Sequence, residues 1–296
     1  VAVLKKLADL FIFTNLFVAF AVACLTFESQ LLIRGYIDIE YVAFVFFSTL
    51  FLYNFHRVFR LKHRSAEEQE ERRHKWVREH RTLTIFILCI SLAGTAYCAF
   101  FVQPIIIILL APFGLIAFAY SLPFIPYGEK KLRLRDVPML KIFLISLVLA
   151  VVTVLLPSLT WFKIGEHVLM DYRPGGTMFI RRMLFIFAIT IPFDIRDMVH
   201  DKKSRLMTIP LLAGERAAKG IALFALLGFV FLLCMEWSRG ILAQPYLYAL
   251  IASVVLSGAA IVFSSNKRNE YYYVFFVEGS MIVQAGLVYA AYLSLR

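Results

Sequence analysis

The chain has 296 residues, of which 61% are hydrophobic and 17% charged, with a mean hydropathy of +0.77. That composition excludes an ordinary water-soluble domain. The formal net charge of +11 comes without a basic patch interleaved with aromatics, which argues against nucleic-acid binding and for membrane topology, anionic lipid heads or a phosphorylated substrate.

Apolar runs near bilayer length predict about nine membrane-spanning helices. They lie at 7–27, 40–58, 83–102, 104–124, 139–160, 178–194, 217–236, 245–264 and 271–294. Runs of this kind exclude a membrane barrel, whose strands alternate apolar and polar residues. The first run is long and has no small-residue cleavage site, so it reads as a span and not as a signal peptide. The second ends in Tyr53-Asn54-Phe55-His56-Arg57-Val58-Phe59-Arg60-Leu61-Lys62. Residues 60–82 then form a charged loop or helix, where acid–base pairs at i, i+4 favour a solvated helix. After the fourth run, two prolines and a glycine in Tyr120-Ser-Leu-Pro-Phe-Ile-Pro-Tyr127-Gly-Glu-Lys-Lys131 stop the helix and open a basic loop. The sixth run leads into Asp194-Ile-Arg-Asp197-Met-Val-His-Asp201-Lys-Lys. Cys24, Cys89, Cys98 and Cys234 fall inside spans without ligand spacing and read as packing residues. In the last run Glu278 is an acid in apolar surroundings, suited to pairing with a base on another helix or to lining a central cavity.

With Lys5 and Lys6 on the cytoplasmic side, alternate loops place 24 of the 31 Lys and Arg residues there. The amino terminus is therefore expected inside and the carboxyl terminus outside. In this topology the three polar segments at 53–62, 120–131 and 194–214 all emerge on one face, as a shared site requires.

On a helix Asp194, Asp197 and Asp201 stand at i, i+3 and i+7, so the three carboxylates share a face. Aligned carboxylates at a membrane edge repel and are costly to desolvate. A Mg²⁺ ion bridging to a phosphate would resolve this, and so would a solvated turn in which Lys202, Lys203 and Arg205 pair with the acids. The six histidines show no zinc spacing, and no Gly-rich phosphate loop or nucleophile elbow is present.

These segments resemble the UbiA superfamily of intramembrane aromatic prenyltransferases. The segment from Asp194 to Gly214 is similar to the family's second Asp-rich motif and its following loop, with Asp197 and Asp201 as the core pair. Tyr120-Ser121-Leu122-Pro123 is similar to the family's Tyr-Ser-Pro-Pro segment, and Tyr127 with Lys131 fits a Tyr-x-x-x-Lys pattern that contacts diphosphate. The family's first motif, Asn-x-x-x-Asp-x-x-x-Asp, is degenerate: Asn54 stands, but the acidic positions hold Val58 and Lys62.

The resemblance implies an all-α bundle of nine helices forming one membrane domain over 1–296. It also implies transfer of a prenyl group from a prenyl diphosphate to a lipophilic, aromatic-type acceptor. Asp197 and Asp201 are then the expected Mg²⁺ ligands, for one ion in place of the usual two, with Asp194 supporting them. Asn54, Arg57, Tyr120, Tyr127, Lys131 and Lys202 are the expected substrate contacts. Two readings of the degenerate motif stand open. In one, Arg57, Arg60 and Lys62 bind diphosphate directly as fixed cations. In the other, Arg57 or Arg60 pairs with Asp194 or Asp197, leaving a non-catalytic binder of an isoprenoid or phosphorylated lipid. A small-solute transporter is the rival from another class. The resemblance places the protein in a membrane, with the bacterial inner membrane as the expected one, and leaves oligomeric state open.

Overall fold

The computed structural model describes residues 2–61, 72–121, 125–127, 130–132, 140–159, 173–203 and 206–296. Helices α1 (Ala2–Phe13), α2 (Leu16–Arg34), α3 (Ile39–Leu61), α4 (Arg72–Glu79), α5 (Arg81–Ala99) and α6 (Pro104–Ser121) form the first half. A two-stranded antiparallel ribbon follows, β1 (Ile125–Tyr127) against β2 (Lys130–Leu132), with Pro126 opposite Lys131. The second half comprises α7 (Leu140–Leu159), α8 (Arg173–Lys203), the short α9 (Ile209–Ala213), α10 (Glu215–Ser238), α11 (Gln244–Val262) and α12 (Glu270–Ser294).

The expected all-α membrane fold is what forms, with the ribbon as a minor addition. Among the described residues, seven helices are long and apolar enough to cross a membrane: α2, α3, α5, α7, α10, α11 and α12. The expected nine would need two more; α6, apolar over Pro104–Ile116, and α8, whose 31 residues carry charges at both ends, stand outside that seven. Large apolar side chains such as Phe100, Phe224 and Phe231 face outward, as a lipid-facing surface requires.

The interior divides into two main packed groups. One is built around α8, α10, α11 and α12, where Phe185, Phe229 and Tyr273 are fully buried. The other joins α2, α3 and α7 through Val22, Tyr41, Val45 and Leu156. A small third group, Ile12, Phe13 and Val274 with Trp76 against it, seats α1 and α4 on α12.

The predicted first span at 7–27 is corrected: it is two helices that meet at Thr14 and Asn15. Asn15 lies in the left-handed region at φ 61°, a conformation asparagine tolerates better than most residues. α3 holds this corner. Asn54, fully buried, donates to the carbonyls of Thr14 at 3.0 Å and Leu50 at 2.9 Å, and its Oδ1 accepts from the Asn15 amide at 3.1 Å. Arg57 donates to the Phe13 carbonyl and to Asn15 Oδ1.

Two π turns interrupt the α-helical pattern, at Val151–Leu155 in α7 and Tyr273–Glu278 in α12. Each changes which side chains share a face. In the first, the Tyr41 hydroxyl from α3 donates to the Val152 carbonyl at 2.7 Å, supplying a partner where the helix ladder is displaced.

Candidate functional site

The described helices line an open-mouthed cavity of about 690 Å³. Its depths are apolar, walled by Val22 of α2, Leu52 of α3, Leu149 and Val152 of α7, Ile186 of α8 and Met281 of α12. Its charged end draws on one end of the bundle: the last turns of α3 and α8 and the first turns of α7 and α12. From α3 come His56 and Arg57; from α7, Lys141; from α8, Arg196, Asp197, His200 and Asp201; from α12, Glu270 and Glu278. An elongated apolar ligand with a polar head fits this division.

α8 continues past its apolar stretch without a break, so the spacing of the three aspartates is realised on one helix. Their surroundings differ. Asp194 is 1% exposed and accepts a 2.6 Å bond from Lys141 Nζ; it is not part of the cavity wall. Asp197 lies in the wall and is gripped in a fork by its neighbour: Arg196 Nε donates at 2.7 Å to Oδ1 and Nη2 at 3.1 Å to Oδ2. Asp201 is also in the wall and buried, and its Oδ2 has no hydrogen-bond partner. Burial pushes the Asp201 carboxyl from 3.8 up to about 6. The Lys141 charge opposes that shift, those of Asp197 and Asp194 add to it, and His200 opposes it weakly.

Asp194 is met by Lys141 and Asp197 by Arg196. Arg57 reaches the α1–α2 corner and also lines the cavity. Asn54 serves the same corner and is absent from the wall. Lys202 and Lys203 are exposed at the end of α8. Tyr127 and Lys131 sit in the ribbon and Tyr120 in the last turn of α6, each described in backbone only. Lys62, Arg205 and most of the expected charged loop lie outside the described residues, and so does the side chain of Arg60.

Sequence reasoning passed over Lys141 and Arg196, counting both only as topology charges. Each has a local signal: a lysine in the first turn of an apolar span, and an arginine set between two acids. Glu278, for which the sequence offered an ion pair or the wall of a central cavity, lines the cavity. Two further ion pairs were not foreseen. Arg182 Nη2 meets Glu28 at 2.9 Å, and Arg181 Nη1 meets Glu236 at 3.2 Å, with all four side chains at most 4% exposed. Among the described residues, no group of three or more His, Cys, Asp and Glu is arranged to hold a metal by itself.

The sequence matches the UbiA prenyltransferase family over residues 74–278. No curated protein matches the chain in sequence. Among solved structures, it is similar to a UbiA homologue from Archaeoglobus fulgidus bound to GPP and Mg²⁺, with a TM-score of 0.62 at 12% identity over 96% of this chain and 99% of that one. It is also similar to the apo form of a UbiA homologue from Aeropyrum pernix K1, with a TM-score of 0.61 at 14% identity over 94% and 97%. A digeranylgeranylglyceryl phosphate synthase gives a TM-score of 0.58 at 16% identity over 98% of both chains. At these identities the structures speak for the fold, and the family match covers more than half of the chain. The protein therefore belongs to the UbiA prenyltransferase family and is an integral membrane protein.

Proposed function

We propose that this protein transfers a prenyl group from a prenyl diphosphate to a lipophilic, aromatic-type acceptor inside the membrane. The observation that carries the reading is the cavity, apolar in depth and charged at one end, with the buried and unpartnered Oδ2 of Asp201 in its wall beside Asp197. An unpartnered buried carboxylate oxygen is costly unless something binds it. Asp197 and Asp201 offer the hard oxygen donors that would hold one Mg²⁺. The loss of both acids from the first motif, at Val58 and Lys62, argues for one ion over two.

Mg²⁺ in that place would supply charge neutralisation to the departing diphosphate. The chain's own cations do the rest. Lys141 is held at the charged end by Asp194, and Arg57 is held there by the α1–α2 corner, so both charges are preorganised. Tyr120, Tyr127, Lys131 and Lys202 are assigned to phosphate contacts on the family pattern alone. Asn54 has a different part, fixing the backbone that positions Arg57. The apolar depth takes the isoprenoid tail and keeps water from the allylic cation. The excess of basic residues supports a cytoplasmic charged end and amino terminus in this reading, with 1–296 as one domain.

The ion pairs on Asp194 and Asp197 favour a second reading, a closed relic that binds an isoprenoid without turnover. Isothermal titration of geranyl diphosphate into purified protein, with and without Mg²⁺, decides the central claim. Binding that requires Mg²⁺ and is lost in Asp197→Asn plus Asp201→Asn is the expected result. Binding indifferent to metal and to both substitutions favours the relic, and no binding at all overturns the assignment. Product formation with a panel of phenolic acceptors then separates an enzyme from a binder.

A further inference from the structure

We propose that a buried polar layer, Glu28, Arg182 and Gln284, closes the deep end of the cavity and sets the longest isoprenoid tail the site accepts. The inference rests on the apolar depth being the tail's place, and it adds a chain-length class to that reading.

The cavity follows α8, where Asp201, Asp197, Phe193, Ile189 and Ile186 line it at helical steps of three or four residues. Ile186 is the deepest lining residue of that helix, as Val22 is of α2 and Met281 of α12. Just beyond each stands a member of one polar group. Arg182 is four residues past Ile186, Gln284 three past Met281 and Glu28 six past Val22. Three helices thus repeat the same order, an apolar floor and then a polar bed. The bed is dry and paired: each of its three residues is at most 3% exposed. Arg182 Nη2 donates to Glu28 at 2.9 Å and to Ser29 Oγ at 3.0 Å, and the Gln284 amide donates to Glu28 at 3.3 Å.

A hydrocarbon tail does not pass such a layer. To advance it must part Glu28 from Arg182, which leaves two charges uncompensated in apolar surroundings. It can offer nothing in return: Arg182 Nε and Nη1 and Gln284 Oε1 have no hydrogen-bond partner among the described residues, and a prenyl chain has no polar atom to give them. An apolar floor alone would be softer, because the unbranched Met281 side chain can swing aside. The depth then translates into a length. Along α8 the floor is eleven residues from Asp197 and fifteen from Asp201, which is about 16 Å and about 22 Å of helix. An isoprene unit adds four carbon–carbon bonds, about 5 Å when extended, so about three to four units reach the floor below the diphosphate. Glu28, Arg182 and Gln284 are therefore specificity-determining residues, acting on the far end of the donor and not on its chemistry.

The test is competition of farnesyl and solanesyl diphosphate against labelled geranyl diphosphate on the purified protein with Mg²⁺. Farnesyl diphosphate is expected to compete well, and solanesyl diphosphate, with its much longer tail, at least tenfold more weakly. Glu28→Ala with Arg182→Ala removes both charges together and opens the floor, so the two competitors should come within about threefold of each other. Glu28→Met with Arg182→Met removes the charge and keeps most of the volume, and its ratio should fall between. The methionine pair decides the matter alone if the alanine pair does not fold. A ratio read on one preparation is insensitive to the fraction of protein that is folded.

Two results overturn the inference. One is a wild type that takes solanesyl as readily as farnesyl diphosphate, which would mean that the tail leaves the cavity sideways into lipid. The other is a ratio that stays at the wild-type value in the variants that fold, which would mean that the apolar walls set the length without the polar layer. Both leave the proposed function standing. Absence of Mg²⁺-dependent binding of geranyl diphosphate would instead remove the functional reading, and the inference with it.

Discussion

Asp201 is where stability and ligand binding oppose each other. Burial holds its carboxyl at about 6, above the ordinary 3.8, so the folded protein keeps a proton the unfolded chain has already lost. The sign follows directly. As pH rises from about 4 to about 6 the unfolded state binds fewer protons than the folded state, and stability falls; above about 6 the loss is constant. Asp201→Asn removes the titration. In metal-free protein it should raise stability above pH 6 by on the order of 2 kcal/mol, with the gain vanishing toward about pH 4. Thermal unfolding in detergent with EDTA, scanned across pH, reads this. A destabilised variant at pH 8 would mean that the carboxylate is satisfied within the fold and is not held for a ligand. The position of the three aspartates was legible in the sequence because helical spacing alone sets it. Their partners were not, since Lys141 is 53 residues from Asp194 and only packing of α7 on α8 brings them together.

At the scale of elements, the corner between α1 and α2 shows what an apolar count misses. Residues 7–27 read as one span because hydropathy is blind to a single left-handed residue. The break at Asn15 is stabilised by Asn54 and Arg57, 39 and 42 residues further on. Sequence reasoning gave both of those residues to the substrate because they sit at the family's first motif. Asn54 makes two buried hydrogen bonds to this corner and a third to the Leu50 carbonyl of its own helix, and its truncation strands the Thr14 carbonyl and the Asn15 amide. Asn54→Ala should therefore cost about 2–4 kcal/mol of stability. Its effect on geranyl diphosphate affinity should be smaller than that of Asp197→Asn, measured below the variant's unfolding temperature. The reverse order, a stable protein with lost affinity, would return Asn54 to the ligand. The π turns were equally invisible, because one inserted residue in a largely apolar helix leaves no trace in periodicity.

The whole molecule separates a site from a clamp along α8. Arg182 stands twelve residues before Asp194, which is about 18 Å along the helix axis. At the aspartate end the charges line a cavity. At the other end they close on themselves: Arg182 binds Glu28 of α2 at 2.9 Å and Ser29 at 3.0 Å, with Gln284 of α12 donating to Glu28 at 3.3 Å. Arg181 faces Glu236 of α10 at 3.2 Å with the Phe229 ring beneath it at 5.2 Å. α8 is thereby tied to two neighbouring helices by paired charges with almost no exposure, and Gln284 joins α12 to the first pair. A transporter reading would want such charges lining a path, but among the described residues they lie outside the cavity wall. Removing one partner of a buried pair leaves the other uncompensated. Glu28→Met should destabilise by about 3–5 kcal/mol, and Glu28→Met with Arg182→Met should recover most of that loss. Neither change should alter the Mg²⁺ dependence of geranyl diphosphate binding in protein that remains folded, because the clamp and the cavity share a helix and no side chain. Thermal unfolding gives the first comparison and titration the second. A double variant that is stable yet fails to bind would show that the far pairs set the geometry of the aspartate end, making α8 a lever where the present structure makes it a post.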